Sequence, residues 1–318
     1  MNPIIKYTMK PAFRFLIMLL MFASIVKLSA QQNVLFNTYL YDMMQLNIAF
    51  AGSECSEANL NYRNQWLGLK EAPKLYQLNA HTPLSRSTGA GIRFVSQQSG
   101  LLNGIQGTVG YGYRIKVNSK TKVLFGIGVG FIQNTLNAQK ATVIDANDET
   151  LKEAGKQNAT GFDSELGVQF LSDKLKCGFS VLHLYSTNSS FVGSSYKTLP
   201  QMNITASYLF KLNKHMDLEP MLVDRLTVKG DNAAEGFVNV HYDKMFTLGA
   251  GYRHHYGLLV FAGAKVDKFR IAYSFDYGAS KNRTLTGSSH QVLLGFYLCK
   301  KRNDEIPSKS KKIMKTQF

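Results

Sequence analysis

The chain has 318 residues, 45% apolar and 18% charged, with a formal net charge of +16, which is material for one large domain or two modest ones. Three scattered cysteines (Cys55, Cys177 and Cys299) are too few for a disulfide framework. Beyond the amino-terminal leader no run is apolar enough for a membrane-spanning helix, which needs about 20 residues, so the chain is either a soluble secreted protein or a barrel.

The leader comes first. Lys6, Lys10 and Arg14 precede an apolar run from Phe15 to Val26, and "LSA" ends at Ala30. A basic start, a short apolar centre and a small residue at the cut predict a secretory signal peptide over residues 1–30. Its removal takes away four basic residues and no acid, lowering the net charge from +16 to +12. In an exported chain that charge does not point to nucleic acid.

Residues 31–57 precede the first strand. From residue 58 the sequence alternates with a period of two, the signature of strands that separate an apolar from a polar environment. About fourteen segments read this way, near 58–66, 75–82, 88–97, 106–117, 121–133, 160–171, 175–185, 198–211, 216–226, 236–242, 245–252, 258–266, 269–278 and 290–299. In "GTVGYGYRIKV" Val109, Tyr111, Tyr113 and Ile115 share one face and Arg114 lies on the other. "TGFDSELGVQF" sets Phe162, Leu166, Val168 and Phe170 against Asp163 and Glu165. "KFRIAYSFDYG" sets Ile271, Tyr273 and Phe275 against Arg270 and Asp276. Gly126, Gly128 and Gly130 suit a strand whose inner face lies close to other backbone. Pro220 interrupts 216–226, and the alternation of "HQVLLGFYL" is blurred.

The connections decide the class. "LSDK", "LNKH", "YDK", "VDK" and "VNSKT" are short. "SQQSGLLNG", "STNSSFVGSSYKT", "TVKGDNAAEG", "GASKNRTLTGSS" and the stretch from Asn134 to Ala159 are long, and the two kinds alternate. An up-and-down outer-membrane barrel has short periplasmic turns and long outer loops. The reading is therefore all-β: a transmembrane antiparallel barrel of about fourteen strands over 58–299, with both termini periplasmic. Its apolar face meets lipid, while Arg93, Arg114, Asp163, Glu165 and Arg270 face a watery lumen. On that reading Leu166→Arg is expected to cost roughly 2–4 kcal/mol near the bilayer midplane, and Glu165→Gln little. Residues 31–57 form a periplasmic segment that folds against the mouth or plugs a lumen too wide for side chains alone. Residues 300–318, with seven Lys or Arg against two acids, read as a basic disordered periplasmic tail. Barrel closure sets Cys55 and Cys299 at the periplasmic ends of neighbouring strands, where a seam disulfide is open to them.

Chemistry is sparse. No GxSxG, HExxH, P-loop or CxxC is present, and no catalytic, metal or cofactor site is predicted. His254 and His255 are sequence neighbours that point to opposite faces of a strand and make poor co-ligands. His183 and His241 lie within strands as interfacial or lumenal groups. Lys120, Lys122, Lys174, Lys176, Lys211, Lys214, Lys244, Lys268 and Arg86 fall at the short turns, a cationic rim suited to lipid phosphates or to an acidic periplasmic partner.

Two stretches resemble the PorP/SprF family, outer-membrane proteins associated with the type IX secretion system of Bacteroidetes. In "YLYDMMQLNIAFAGSECSEANLNYRNQWLGLKEAPKLYQLNAHTPL" the matches are Tyr39, Asn47, Ala49, Ala51, Gly52 and Ser53, then Arg63, Gln65 and Trp66, then Ala72 and Pro73. In "FDYGASKNRTLTGSSHQVLLGFYL" they are Asp276, Tyr277, Ser280, Gly287, Ser289 and His290. Ile48 stands where the family has proline, Phe50 where it has tyrosine, Glu71 where it has glycine and Gln291 where it has an acid. The resemblance implies a non-enzymatic role: assisting export of particular surface proteins or adhesins, or holding them at the cell surface, with periplasmic or outer-membrane type IX components as further partners. Trp66 is expected in the interfacial aromatic belt, with Arg63 and Gln65 pointing inward. A passive channel for small solutes, or a barrel hydrolase, are the alternatives.

Overall fold

The computed structural model describes residues 36–53, 55–138, 155–186, 188–191, 194–227, 232–254, 256–278 and 287–299. The leader, the basic tail, Ser280 and His255 lie outside them. Fourteen antiparallel strands form one closed sheet: β1 (Ser56–Asn64), β2 (Lys74–Pro83), β3 (Thr88–Ser99), β4 (Leu102–Lys116), β5 (Lys122–Asn137), β6 (Lys156–Leu171), β7 (Leu175–Ser186), β8 (Gln201–Tyr208, continued by Phe210–Lys211), β9 (Met216–Thr227), β10 (Ala233–Tyr242), β11 (Phe246–Arg253), β12 (Gly257–Val266), β13 (Phe269–Gly278) and β14 (Ser289–Leu298). Each strand pairs with its neighbours in sequence. β1 pairs with β14 from Ser56↔Leu298 to Asn64↔His290, which closes the cylinder and satisfies strand edges that hydrocarbon could not.

Alternation sets the two faces. Leu60, Val109, Ile127, Phe162, Leu166, Leu248 and Ile271 are exposed on the outside, while Asn59, Asn61, Arg93, Asp163, Glu165 and Gln291 are buried inside. Among the described residues no helix is long and apolar enough to cross a membrane; strands make the crossing.

Several boundaries differ from the sequence reading. "SQQSGLLNG" is mostly strand: β3 runs to Ser99 and β4 starts at Leu102, joined by a tight turn with Gly100 at φ 56°, a conformation glycine adopts at little cost. "STNSSFVGSSYKT" contains a small hairpin of its own, Asn188–Phe191 paired with Ser194–Lys197. β1 ends at Asn64, and Trp66 takes φ 56° beyond it. β8 is split because its ladder with β9 stops at Ser207↔Met221 and resumes at Phe210↔Leu218. Pro220, which has no N–H to donate, lies in that gap. β7 carries extra residues opposite Glu165, where the β6–β7 register shifts and His183 adopts φ 55°, a bulge of the kind that re-aims side chains.

A candidate functional site inside the barrel

Residues Phe36 to Ser53 occupy the lumen. They fold as three single 3-10 turns, Thr38–Leu40, Met43–Gln45 and Ile48–Phe50. Asn47 caps the third, its Oδ1 accepting from the Ala49 N–H at 2.9 Å, the standard way to satisfy an orphan amide at a helix start. Ile48 holds the first position of that turn, where the family proline would also fit because no intrahelical N–H bond is lost there.

Two different walls hold this segment. On β9 to β14 the inner face turns apolar. Tyr39 and Leu46 pack on Met221, Val223, Phe237 and Leu259, and Tyr41 packs on Phe261, Ala272 and Leu293. On β4 to β6 the wall that meets the third turn is glycine backbone. A Cβ added at Gly126 would stand 2.4 Å from the Ala49 nitrogen, one at Gly112 2.3 Å from the Ala51 oxygen and one at Gly167 1.9 Å from Asn47 Oδ1. Gly52 (φ 65°) lies against Thr82 and Gly89 with no room for a side chain.

Polar groups complete the fit. Tyr39 OH donates to Glu235 Oε2 at 3.0 Å, Asn47 Nδ2 to the Val168 carbonyl at 2.9 Å, and Asn203 Nδ2 to the Leu46 carbonyl at 2.9 Å. Asp42 Oδ2 accepts from Asn79 at 2.7 Å and from Asn61 at 3.4 Å.

Toward the long loops lies a buried ionic cluster. Glu235 accepts from Arg225 and, at 3.0 Å, from Arg253; Asp276 pairs with Arg63 and stands 3.6 Å from Arg253. Asn37 joins both halves, donating to Asp276 and accepting from Arg253. Buried charges in such a place need this kind of mutual pairing.

The lumenal charges expected from sequence all point inward, but not into open water. Glu165 pairs with Arg93, which also donates to the Met44 carbonyl at 3.0 Å. Asp163 contacts His183 Nδ1 at 3.1 Å, and Arg270 pairs with Glu57. Arg114 Nε donates to the Arg86 carbonyl at 3.3 Å. The expectation of a watery lumen is corrected at this level: the N-terminal segment fills it, and both carboxylates are 3% exposed.

The motif residues from the two ends of the sequence meet at the seam. Arg63 of β1 bonds Asp276 of β13, and the Trp66 N–H donates to Ser289 Oγ at 3.1 Å. A Cβ at Gly287 would stand 2.0 Å from the Leu67 carbonyl oxygen. Gln65 is buried, its N–H bonded to the Pro73 carbonyl at 2.9 Å, and the Ala72 N–H reaches the Leu69 carbonyl at 3.3 Å. Glu71, where the family has glycine, sits at φ 60°. Gln291 Oε1 accepts from the Asn37 N–H at 2.8 Å while its amide donates to Thr38 Oγ1 at 2.6 Å. His290 lies on the outer face, with Tyr273 OH at 2.7 Å, and Tyr277 is exposed. Cys55 and Cys299 form a disulfide at the foot of the same seam, with Cα atoms 4.5 Å apart.

At the short-turn end a cavity of about 490 Å³ opens below the segment, lined by Met43, Phe50, Ser53, Lys176, Glu219 and Lys265 among others. There Lys176 and His241 both contact Glu219, at 2.8 and 2.9 Å. Among the described residues no group of three His, Cys, Asp or Glu is placed to hold a metal ion.

A closed fourteen-stranded cylinder, apolar outside, polar within and filled by its own amino-terminal segment, is an outer-membrane β-barrel of the plugged kind. This chain belongs to the PorP/SprF family of type IX secretion system membrane proteins, whose family model matches residues 28–296. No curated protein matches the sequence. Similar solved structures include the CymD monoaromatic hydrocarbon channel (12% identity, TM-score 0.49, covering 80% of this chain and 91% of that one). The Pseudomonas putida toluene transporter TodX is 12% identical with TM-score 0.47, over 85% and 95% of the two chains. Omp33 of Acinetobacter baumannii is 8% identical with TM-score 0.45, over 77% and 98%.

Proposed function

We propose that this barrel is a non-enzymatic outer-membrane component of type IX secretion that assists export of a particular surface protein or adhesin, or holds it at the cell surface. The observation that carries the reading is the filled lumen. Phe36 to Ser53 is bonded to strands all round the wall, an arrangement that serves a rigid docking body better than an open pore. In this reading the signal peptide is removed near Ala30, the long loops face outward and meet the cargo, and the short-turn end faces the periplasm. The lysine-rich rim there contacts lipid phosphates of the inner leaflet. Type IX components are the partners on that side.

A passive channel for small solutes is the competing reading, and it requires the segment to leave. Two measurements separate them. A deletion strain should lose a specific surface protein without a change in outer-membrane permeability. In planar bilayers the intact protein should be silent, and a version lacking residues 34–52 should conduct. Free conductance by the intact protein, with surface proteins unchanged in the deletion strain, would establish the channel instead.

A further inference from the structure

The lumenal segment has a direction, and it is the reverse of one that starts in the periplasm. At its upstream end Phe36 packs on Leu75 and Val95, and its carbonyl accepts from Arg225 Nη2 at 2.9 Å. Asn37 bonds Asp276, Arg253 and Gln291. Leu75, Arg225, Arg253, Asp276 and Gln291 all lie within three residues of the long-loop ends of their strands. At its downstream end Gly52 rests on Thr82 and Gly89, and Cys55 is joined to Cys299, all at the short-turn end. The chain therefore runs down the lumen from the long loops to the short turns, then turns back up as β1.

What precedes Phe36 starts at the long-loop end and has no way back. Asn37, Tyr39, Met44 and Ile48 are each at most 1% exposed, so the segment is packed firmly where it lies. Distance closes the way back. Five residues, 31–35, span at most about 17 Å when fully extended, whereas a strand of 12 residues such as β9 is about 40 Å long. On the upstream side, Phe36 lines a cavity of about 120 Å³ bounded by Gln97, Gln106, Asn134 and Gln201. Its amide side chains offer both donors and acceptors.

We infer that the mature amino terminus leaves through the long-loop mouth and is presented at the cell surface, so that the two ends of the mature chain lie on opposite sides of the outer membrane. The cell-surface assignment rests on the orientation given under Proposed function. The exit through the long-loop mouth rests on the course of the segment and on the cleavage near Ala30 given there.

A short flexible tag holding one cysteine, inserted after Ala30 in a Cys177→Ser background, tests it with a membrane-impermeant maleimide on whole cells. Lys70→Cys, in the β1–β2 connection, and Lys120→Cys, in the β4–β5 turn, report the two faces in parallel. The tag and Lys70→Cys should label on intact cells, and Lys120→Cys only after the outer membrane is permeabilised. A tag that labels only after permeabilisation, while Lys70→Cys labels on intact cells, overturns the inference and leaves the orientation standing. Labelling of Lys120→Cys but not Lys70→Cys on intact cells overturns the orientation and the surface assignment with it. A tag reached only after denaturation also overturns the inference, because a free end leaving by that mouth carries the tag clear of the wall.

Discussion

Replacing Glu235 by glutamine probes the ionic cluster most directly. The side chain is fully buried, one oxygen holding Arg225 and the other holding Arg253 and the Tyr39 hydroxyl. The substitution keeps the shape and removes the charge, leaving Arg63 and Arg253 to share the carboxylate of Asp276 and Arg225 with the Phe36 carbonyl. Breaking one partner of a buried ion pair costs about 3–5 kcal/mol, and the glutamine oxygen can still accept one bond, so the low end, about 3 kcal/mol, is expected. Tyr39→Phe removes only the hydroxyl bond and should cost about 1 kcal/mol. Urea unfolding of the refolded protein in lipid vesicles measures both. Trp66, the sole tryptophan, sits at the same end of the barrel and reports the transition by fluorescence. A loss below about 1 kcal/mol for Glu235→Gln, the range of solvent-exposed pairs, would refute the claim that the cluster is dry and mutually dependent.

Gly126→Val should expel the lumenal segment and give conducting protein in planar bilayers. Gly236→Ala, whose added Cβ meets nothing nearer than 3.6 Å, should stay silent. Leu166→Arg should cost roughly 2–4 kcal/mol through exposure of charge to lipid. Glu165→Gln, which strips Arg93 of its buried partner, should cost about 3–5 kcal/mol instead of little. A double-mutant cycle with Arg93→Gln should show coupling to Glu165 and none to Leu166. Replacing Cys55 and Cys299 by serine opens a loop with a sequence separation of 244 and should lower stability by about 2–4 kcal/mol, with the urea midpoint of the parent falling to match when reductant is added.

The barrel was legible because lipid outside and polar groups inside force a period of two on almost every strand. The signal weakened where it carried other information. "HQVLLGFYL" and the strand around Pro220 looked blurred because Leu293, Met221 and Val223 are apolar on the inner face, where they pack the lumenal segment. Gly126, Gly128 and Gly130 on β5 were readable as close backbone approach, but not what approached. The ionic cluster was hidden for a different reason. Arg63, Arg225, Glu235, Arg253 and Asp276 come from five strands; successive hairpins gather the last four, and only closure of the cylinder brings Arg63 to Asp276. The bulge at His183 breaks a period that counting by twos assumes, and no turn residue marks it.

The way the segment is fastened also makes it one-directional. Its downstream end runs through Cys55 into the strand that seals the cylinder, and a covalent bridge pins that point. Its upstream end is tied by side-chain bonds alone. A pull from the long-loop face would therefore peel it turn by turn from Phe36, each anchor yielding separately, whereas the same force from the opposite face would load a covalent ring and move nothing. The molecule is thus built to be unstoppered, if it ever is, from one side only.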